Sequence, residues 1–251
     1  MRLYLHELRA QQLLFWRNRE AAFFSFLFPI LLLVLIGSVY GDEPIDGVTA
    51  PTYLLIGLIG YGAAANAFAA LAITLVVRRE AGLLKRVRGT PLGSGTYLGA
   101  VIGSTVAVIA LQVMTQLLLG VYVLDADWPD RFAYFVFAVL LGAAAFAALG
   151  IAVTTVVRTA EGSSAVVNAI FLPMAFISGV FFSTAEMPAF LEAISEVLPL
   201  TYFLDLIRAA FIPGEDFAPS AVAAVVVWGL LGLAVALRRF RWEPREGLAE
   251  S

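Results

Sequence analysis

Six apolar runs, at 21–40, 51–77, 96–124, 132–157, 163–182 and 219–237, divide this 251-residue chain, and none contains Asp, Glu, Lys, Arg or His. A helix crossing a hydrocarbon core of about 30 Å needs about 20 mostly apolar residues. A charge at mid-bilayer costs about 2.5 kcal/mol or more. The pattern therefore predicts an all-α integral membrane protein with six transmembrane helices in a single domain covering 1–251. At 61% hydrophobic and 14% charged residues, the composition suits a chain solvated by lipid rather than by water. The first run is longer than the apolar core of about 7–15 residues in a secretory signal, so it is read as a retained span.

The basic residues set the expected orientation. Arg2, Arg9, Arg17 and Arg19 precede the first span. Arg78, Arg79, Lys85, Arg86 and Arg88 join the second to the third, Arg158 joins the fourth to the fifth, and Arg238, Arg239, Arg241 and Arg245 follow the sixth. Only Arg131 and Arg208 fall on the other side, among acids such as Asp42, Asp125, Glu186 and Asp216. Both termini are expected to be cytoplasmic, in a multi-pass protein of the plasma membrane. Spans two to four run to 26–29 residues and should tilt or project beyond the bilayer on the cytoplasmic side.

Two further elements are expected. Residues 1–20 place Tyr4, Leu5, Leu8, Phe15 and Trp16 on one arc of a helix, with His6, Glu7, Arg9 and Arg17 mostly opposite, although Leu3, Leu13 and Leu14 break the pattern. This suits an interfacial helix on the cytoplasmic leaflet; a disordered basic leader is the alternative. Residues 183–218 are too long and too apolar for an ordinary loop. Pro188 opens a helix that Pro199 ends, and a second runs from about Thr201 to Phe211. The pair forms a re-entrant hairpin in the outer leaflet whose backbone groups are satisfied internally.

Several chemistries are excluded. With no cysteine and one histidine, thiolate sites and multi-histidine metal sites are absent. Lys85, the only lysine, lies in no G-x-x-x-x-G-K-[ST] motif, so no P-loop cradles ATP and the chain binds no nucleotide cofactor in that way. Nucleic-acid binding does not fit basic residues dispersed over juxtamembrane segments.

Arg78 to Leu92, RREAGLLKRVRGTPL, concentrates the charge. Three readings are open: a topological retention signal, a contact with anionic lipid, or a protein-docking element. Leu83, Leu84 and Val87 form one apolar stripe with Lys85, Arg86 and Arg88 on other faces, and Gly89 and Pro91 stop the helix. Within the spans, Asn66, Thr74, Gln112, Thr115, Gln116 and Asn168 are the main polar residues. Asn66, Gln112, Gln116 and Asn168 are candidates for a substrate path, against the plainer role of interhelical hydrogen bonding. Gln112 and Gln116 share a face at i, i+4. The small-residue runs GYGAAANAFAALA and GAAAFAALG allow close helix approach. Asp205 and Arg208, at i, i+3, form a surface pair or contact cargo.

The stretch REAGLLKRVRGTPL resembles the cytoplasmic loop of type-2 ABC exporter permeases (the ABC-2 family of transmembrane subunits). Residues 176–211, FISGVFFSTAEMPAFLEAISEVLPLTYFLDLIRAAF, are similar to that family's C-terminal signature, although Ser183-Thr184 stands where relatives often carry a proline. The resemblance implies a permease subunit, not an enzyme, of an ATP-driven exporter for amphipathic drugs, lipids or glycolipids. It also implies two cytoplasmic ABC ATPase subunits, which bind ATP and Mg, and a second permease as in a homodimer. Residues 78–93 then form the coupling-helix loop: Glu80, Leu83, Leu84, Lys85, Arg86 and Arg88 meet the ATPase, and Gly89, Thr90 and Pro91 set the exit turn. An ion-coupled secondary transporter is the alternative, weakened by the lack of an ionisable residue in any span. An intramembrane enzyme has no catalytic cluster to use.

Overall fold

A computed structural model describes residues 2–37, 45, 47–90, 92–184, 187–212, 218–240 and 242–243. Among these, the chain is helical throughout, apart from turns and one isolated β-bridge between Ile45 and Val48. The helices are α1 (Arg2–Arg17), α2 (19–37), α3 (Ala50–Glu80), α4 (Leu83–Arg88), α5 (Ser94–Leu124), α6 (Phe132–Val153), α7 (Ala160–Ile177), α8 (Ala189–Ser195), α9 (Pro199–Arg208) and α10 (Pro219–Arg239). Five of them, α3, α5, α6, α7 and α10, are long and apolar enough to cross a membrane, which makes this a multi-pass membrane protein. The expected first span differs. The apolar part of α2 covers Phe23–Ile36, about 21 Å at 1.5 Å per residue, and positions 38–40 lie outside the described residues.

α3 is the centre of the bundle. Its apolar window is 83% buried, against 22% for α10, because glycine and alanine let neighbours close in from every side. A Cβ on Gly150 of α6 would sit 2.7 Å from the Phe68 carbonyl oxygen of α3. One on Gly232 of α10 would sit 2.8 Å from the Leu149 backbone nitrogen of α6. The ring of Phe203 in α9 fills the place of a Gly142 side chain in α6. Both small-residue runs make close contacts within the chain. Hydrocarbon gives helices little reason to associate, so tight backbone approach has to supply it.

Three boundaries differ from expectation. α6 stops at Val153, giving 22 residues rather than 26, because Thr154 and Thr155 turn their hydroxyls back onto the carbonyls of Ile151 (2.6 Å) and Ala152 (2.8 Å). α7 starts earlier and ends earlier than 163–182. Thr159 caps it by accepting from the Gly162 N–H (3.1 Å), and beyond Ser178 the chain turns through Gly179 at φ +79°. Pro199 occupies the first turn of α9, rather than merely closing α8.

α2 and α3 each contain a widened, π-helical turn, at Phe23–Leu27 and Ala65–Ala70. Pro29 accounts for the first, since it has no N–H for the carbonyl of Ser25 and its ring crowds that oxygen. In the second, the Asn66 side-chain amide donates to the Gly62 carbonyl (3.1 Å), entering the helix's own hydrogen-bond ladder.

α1 packs on the first part of α5. Tyr4 and Leu8 sit over Gly103, and the Gln12 amide donates to the Ser104 carbonyl and hydroxyl oxygens (3.0 Å each). Gln11 is buried with them, whereas Leu5 and Trp16, expected on the same face, are exposed along with Leu3, Leu13 and Leu14.

The α3–α6 crossing has a direct check. Gly150→Leu should lower the stability of the detergent-solubilised chain by about 1–3 kcal/mol in thermal unfolding, the usual cost of overpacking. Gly95→Ala, with no neighbour within 4 Å, should leave it unchanged.

Candidate functional site

The charged stretch between α3 and α5 is built from two buried anchors. The first is Arg79, only 2% exposed, which continues the inward face of α3 formed by Leu71, Ala72, Leu75 and Val76. Its guanidinium donates to the carbonyls of Thr154 and Val157 (2.9 Å each), just past the end of α6, and its Nε lies 2.8 Å from the Glu80 carboxylate. Carbonyls at a helix C-terminus have no partner within the helix and carry partial negative charge, so a buried cation is well placed there. The second anchor is Leu84, fully buried, with Val87 beside it against the core. Arg78 adds a bond to the Tyr97 hydroxyl of α5 (2.8 Å).

Between the anchors the backbone turns sharply. Gly82 takes φ +69°, a left-handed conformation that glycine adopts without a Cβ penalty, and its N–H closes on the Arg79 carbonyl (2.9 Å). α4 then runs for six residues. Thr90 turns its hydroxyl back onto the Val87 carbonyl (2.7 Å), and Gly93 at φ +71° leads into α5. Pro91 and the side chain of Arg88 lie outside what the structure describes.

The apolar stripe expected on α4 is therefore divided. Leu84 and Val87 hold the helix to the bundle, while Leu83, 44% exposed, faces away with Lys85 and Arg86. An acid at position 84 would disrupt the fold itself, so it is not a clean probe of docking. Glu80 is occupied by Arg79 and is 23% exposed. What the surface offers is one leucine and two cations, on a helix whose other side is fixed.

Three of the four substrate-path candidates come together inside the bundle. Ser25 Oγ donates to Asn66 Oδ1 (2.8 Å), Asn66 Nδ2 to Gln112 Oε1 (2.7 Å), Gln112 Nε2 to Gln116 Oε1 (2.9 Å), and Gln116 Nε2 to the Leu58 carbonyl (3.3 Å). All four side chains are buried. The chain of bonds links α2, α3 and α5, joins the two widened turns directly, and passes where Gly62 leaves room for the Gln112 amide. Asn168 is not part of it: it bonds Ser164 one turn earlier on α7 (3.2 Å).

At the opposite end, Pro188 leads into α8 and Pro199 into α9. Asp205 and Arg208 pair at 3.1 Å, and the Arg208 guanidinium lies 5.4 Å from the centre of the Tyr53 ring of α3. The Tyr53 hydroxyl donates to the Gly179 carbonyl (2.8 Å). The Thr52 hydroxyl of α3 donates to the Asp127 carboxylate in the α5–α6 turn (2.8 Å) and accepts from the Asp127 N–H (2.7 Å).

A sequence model of the family described as ABC-2 type transporter matches residues 3–212. The chain belongs to the ABC-2 type transporter family. Over 133 residues, 53% of this chain, it is 26% identical to the probable multidrug ABC transporter permease YbhS of Escherichia coli K12, covering 34% of that protein. Over 97 residues, 38% of this chain, it is 30% identical to nodulation protein J of Bradyrhizobium diazoefficiens, covering 37% of that protein. The chain thus spans about a third of the length of each of these relatives.

Charge counting treats Arg79 as one more basic loop residue. Its place in the series Leu71, Ala72, Leu75, Val76 and Arg79 is the signal that it points inward. Ser25 carries no comparable signal, since its role depends on the widened turn opposite Asn66.

The amide chain yields a stability test. Gln112→Leu should destabilise the protein by about 1–3 kcal/mol, as partners are left unpaired. Asn66→Leu added to it should cost less than the sum of the two changes, measured by thermal unfolding of both single variants and the double variant.

Proposed function

We propose that this chain is the membrane-spanning permease subunit of an ATP-driven ABC exporter, coupled to a separate ATPase through the outward face of α4. The observation that carries this reading is the division of α4. A short helix anchored by Leu84 and Arg79 presents Leu83, Lys85 and Arg86 to whatever lies beyond the bundle. A purely topological signal has no need of such anchoring, and a contact with anionic lipid has no need of an exposed leucine beside the cations.

In this reading α4 and both termini are cytoplasmic, as the distribution of arginine suggests, and the protein resides in the plasma membrane. α2 belongs to the remaining crossing, α1 lies at the inner interface, and α8 with α9 forms a hairpin dipping into the outer leaflet. Two permease copies act with two ATPases, which bind ATP and Mg. Thr90 sets the exit turn behind the contact made by Leu83, Lys85 and Arg86.

The cargo is an amphipathic drug, lipid or glycolipid. The name of the multidrug relative supports that class, as does a chain of uncharged amides that links α3 to α5. Asn66, Gln112 and Gln116 would meet the polar part of a cargo when α2 and α5 part from α3.

Docking is tested by co-purification with the ATPase. Leu83→Asp, or Lys85→Glu combined with Arg86→Glu, should abolish ATPase capture and ATP-driven export while the amount of folded chain in the membrane is unchanged. Leu84→Asp should instead reduce that amount. Full capture by the Leu83→Asp variant would reject the assignment.

A further inference from the structure

Arg79 has a counterpart at the other end of α6. Arg131, the residue before α6, donates from its side chain to the Ala209 carbonyl and from its backbone N–H to the Ala210 carbonyl (3.1 Å), at the end of α9. Each end of α6 is therefore fastened by an arginine: the first to the end of α9, the second to the α3–α4 corner. Between these joints α6 has little freedom to slide. Its Gly150 meets the backbone of Phe68 in α3, Phe203 of α9 fills the place of a side chain at Gly142, and Phe146 lies against Phe203 at 5.8 Å between ring centres. Phe135 and Phe211 meet edge to face at 5.8 Å beside the Arg131 joint.

We propose that α6 is the rod that carries motion from α4 to the outer helices α8 and α9, with Arg79 and Arg131 as positioning residues at its two joints. The inference rests on the ATP-driven reading above and adds the route by which the far side is moved. The chemistry of arginine suits the Arg79 joint. Its planar guanidinium directs several donors in fixed directions, so one side chain holds two carbonyls in register, whereas a lysine ammonium is a point charge on a flexible stem. At Arg79 the two carbonyls belong to residues three apart, Thr154 and Val157, which fixes the end of α6 in orientation as well as position. A tilt of α4 and the end of α3 is then shared by α6, and through Arg131 by α9.

The chain contains no cysteine, so a single introduced thiol reports cleanly. Val197, 62% exposed between α8 and α9, is the reporter: Val197→Cys in the complex with its co-purified ATPase, treated with a membrane-impermeant maleimide with and without ATP and vanadate. The expected result is a severalfold nucleotide-dependent change in labelling rate. Adding Arg131→Ala should remove that dependence while the ATPase stays bound and continues to hydrolyse ATP. A role confined to stability would lower the yield of complex without changing the dependence in the complex that remains.

Nucleotide-dependent labelling that persists unchanged with Arg131→Ala overturns the proposal. Arg131→Gln applies the same test should the first variant fail to assemble. With both arginines native, hydrolysis without any response at position 197 overturns it as well. Failure of any ATPase to co-purify with the native chain rejects instead the reading on which the rod depends.

Discussion

A guanidinium with 2% of its surface exposed must find its partners inside the protein, and the partners of Arg79 determine much of the surrounding architecture. Burying an unpaired charge costs several kcal/mol, so the carbonyls of Thr154 and Val157 have to be held where the fork can reach them. That requirement brings the end of α6 against the end of α3 and fits with α6 stopping at Val153. The same arginine's carbonyl closes the turn through Gly82, from which α4 leaves with Leu84 inward. The exposed group of Leu83, Lys85 and Arg86 is thus a consequence of an interaction on the opposite side of the backbone.

Deeper in the bundle, two different means hold the helices together. Around α3 and α6 it is close approach, with glycines at 142, 150 and 232 meeting a ring or a neighbouring backbone. Between α2, α3 and α5 it is the chain of hydrogen bonds from Ser25 to Gln116. The two are not equivalent mechanically. Interlocked backbones resist sliding, whereas side-chain amides can exchange partners at small net cost, since such bonds in membrane proteins are worth under about 2 kcal/mol each. The widened turn of α2 lies on the exchangeable side, whereas that of α3 belongs to both: its Asn66 joins the chain of bonds and its Phe68 meets Gly150 of α6.

Much of this organisation was legible in the sequence because bilayer thickness and the cost of buried charge leave few choices. Five of the six expected spans appear as helices of sufficient length, and the helices at α4, α8 and α9 fall within the loops where apolar spacing placed them. Boundaries were less legible where a side chain decides them: Thr154 and Thr155 shorten α6, and Thr159 moves the start of α7. The small-residue runs announced close packing without saying against what, and their partners proved to lie within the same chain. Arg79 was obscured by counting charge without asking which face of α3 it continues.

Contact between the outward face of α4 and an ATPase is tested most directly in the intact cell, by a photo-crosslinking amino acid in place of Lys85. The expected product is a covalent adduct with a P-loop ATPase subunit whose yield changes with nucleotide. Adducts with lipid alone, from a chain that still exports its cargo, would contradict it.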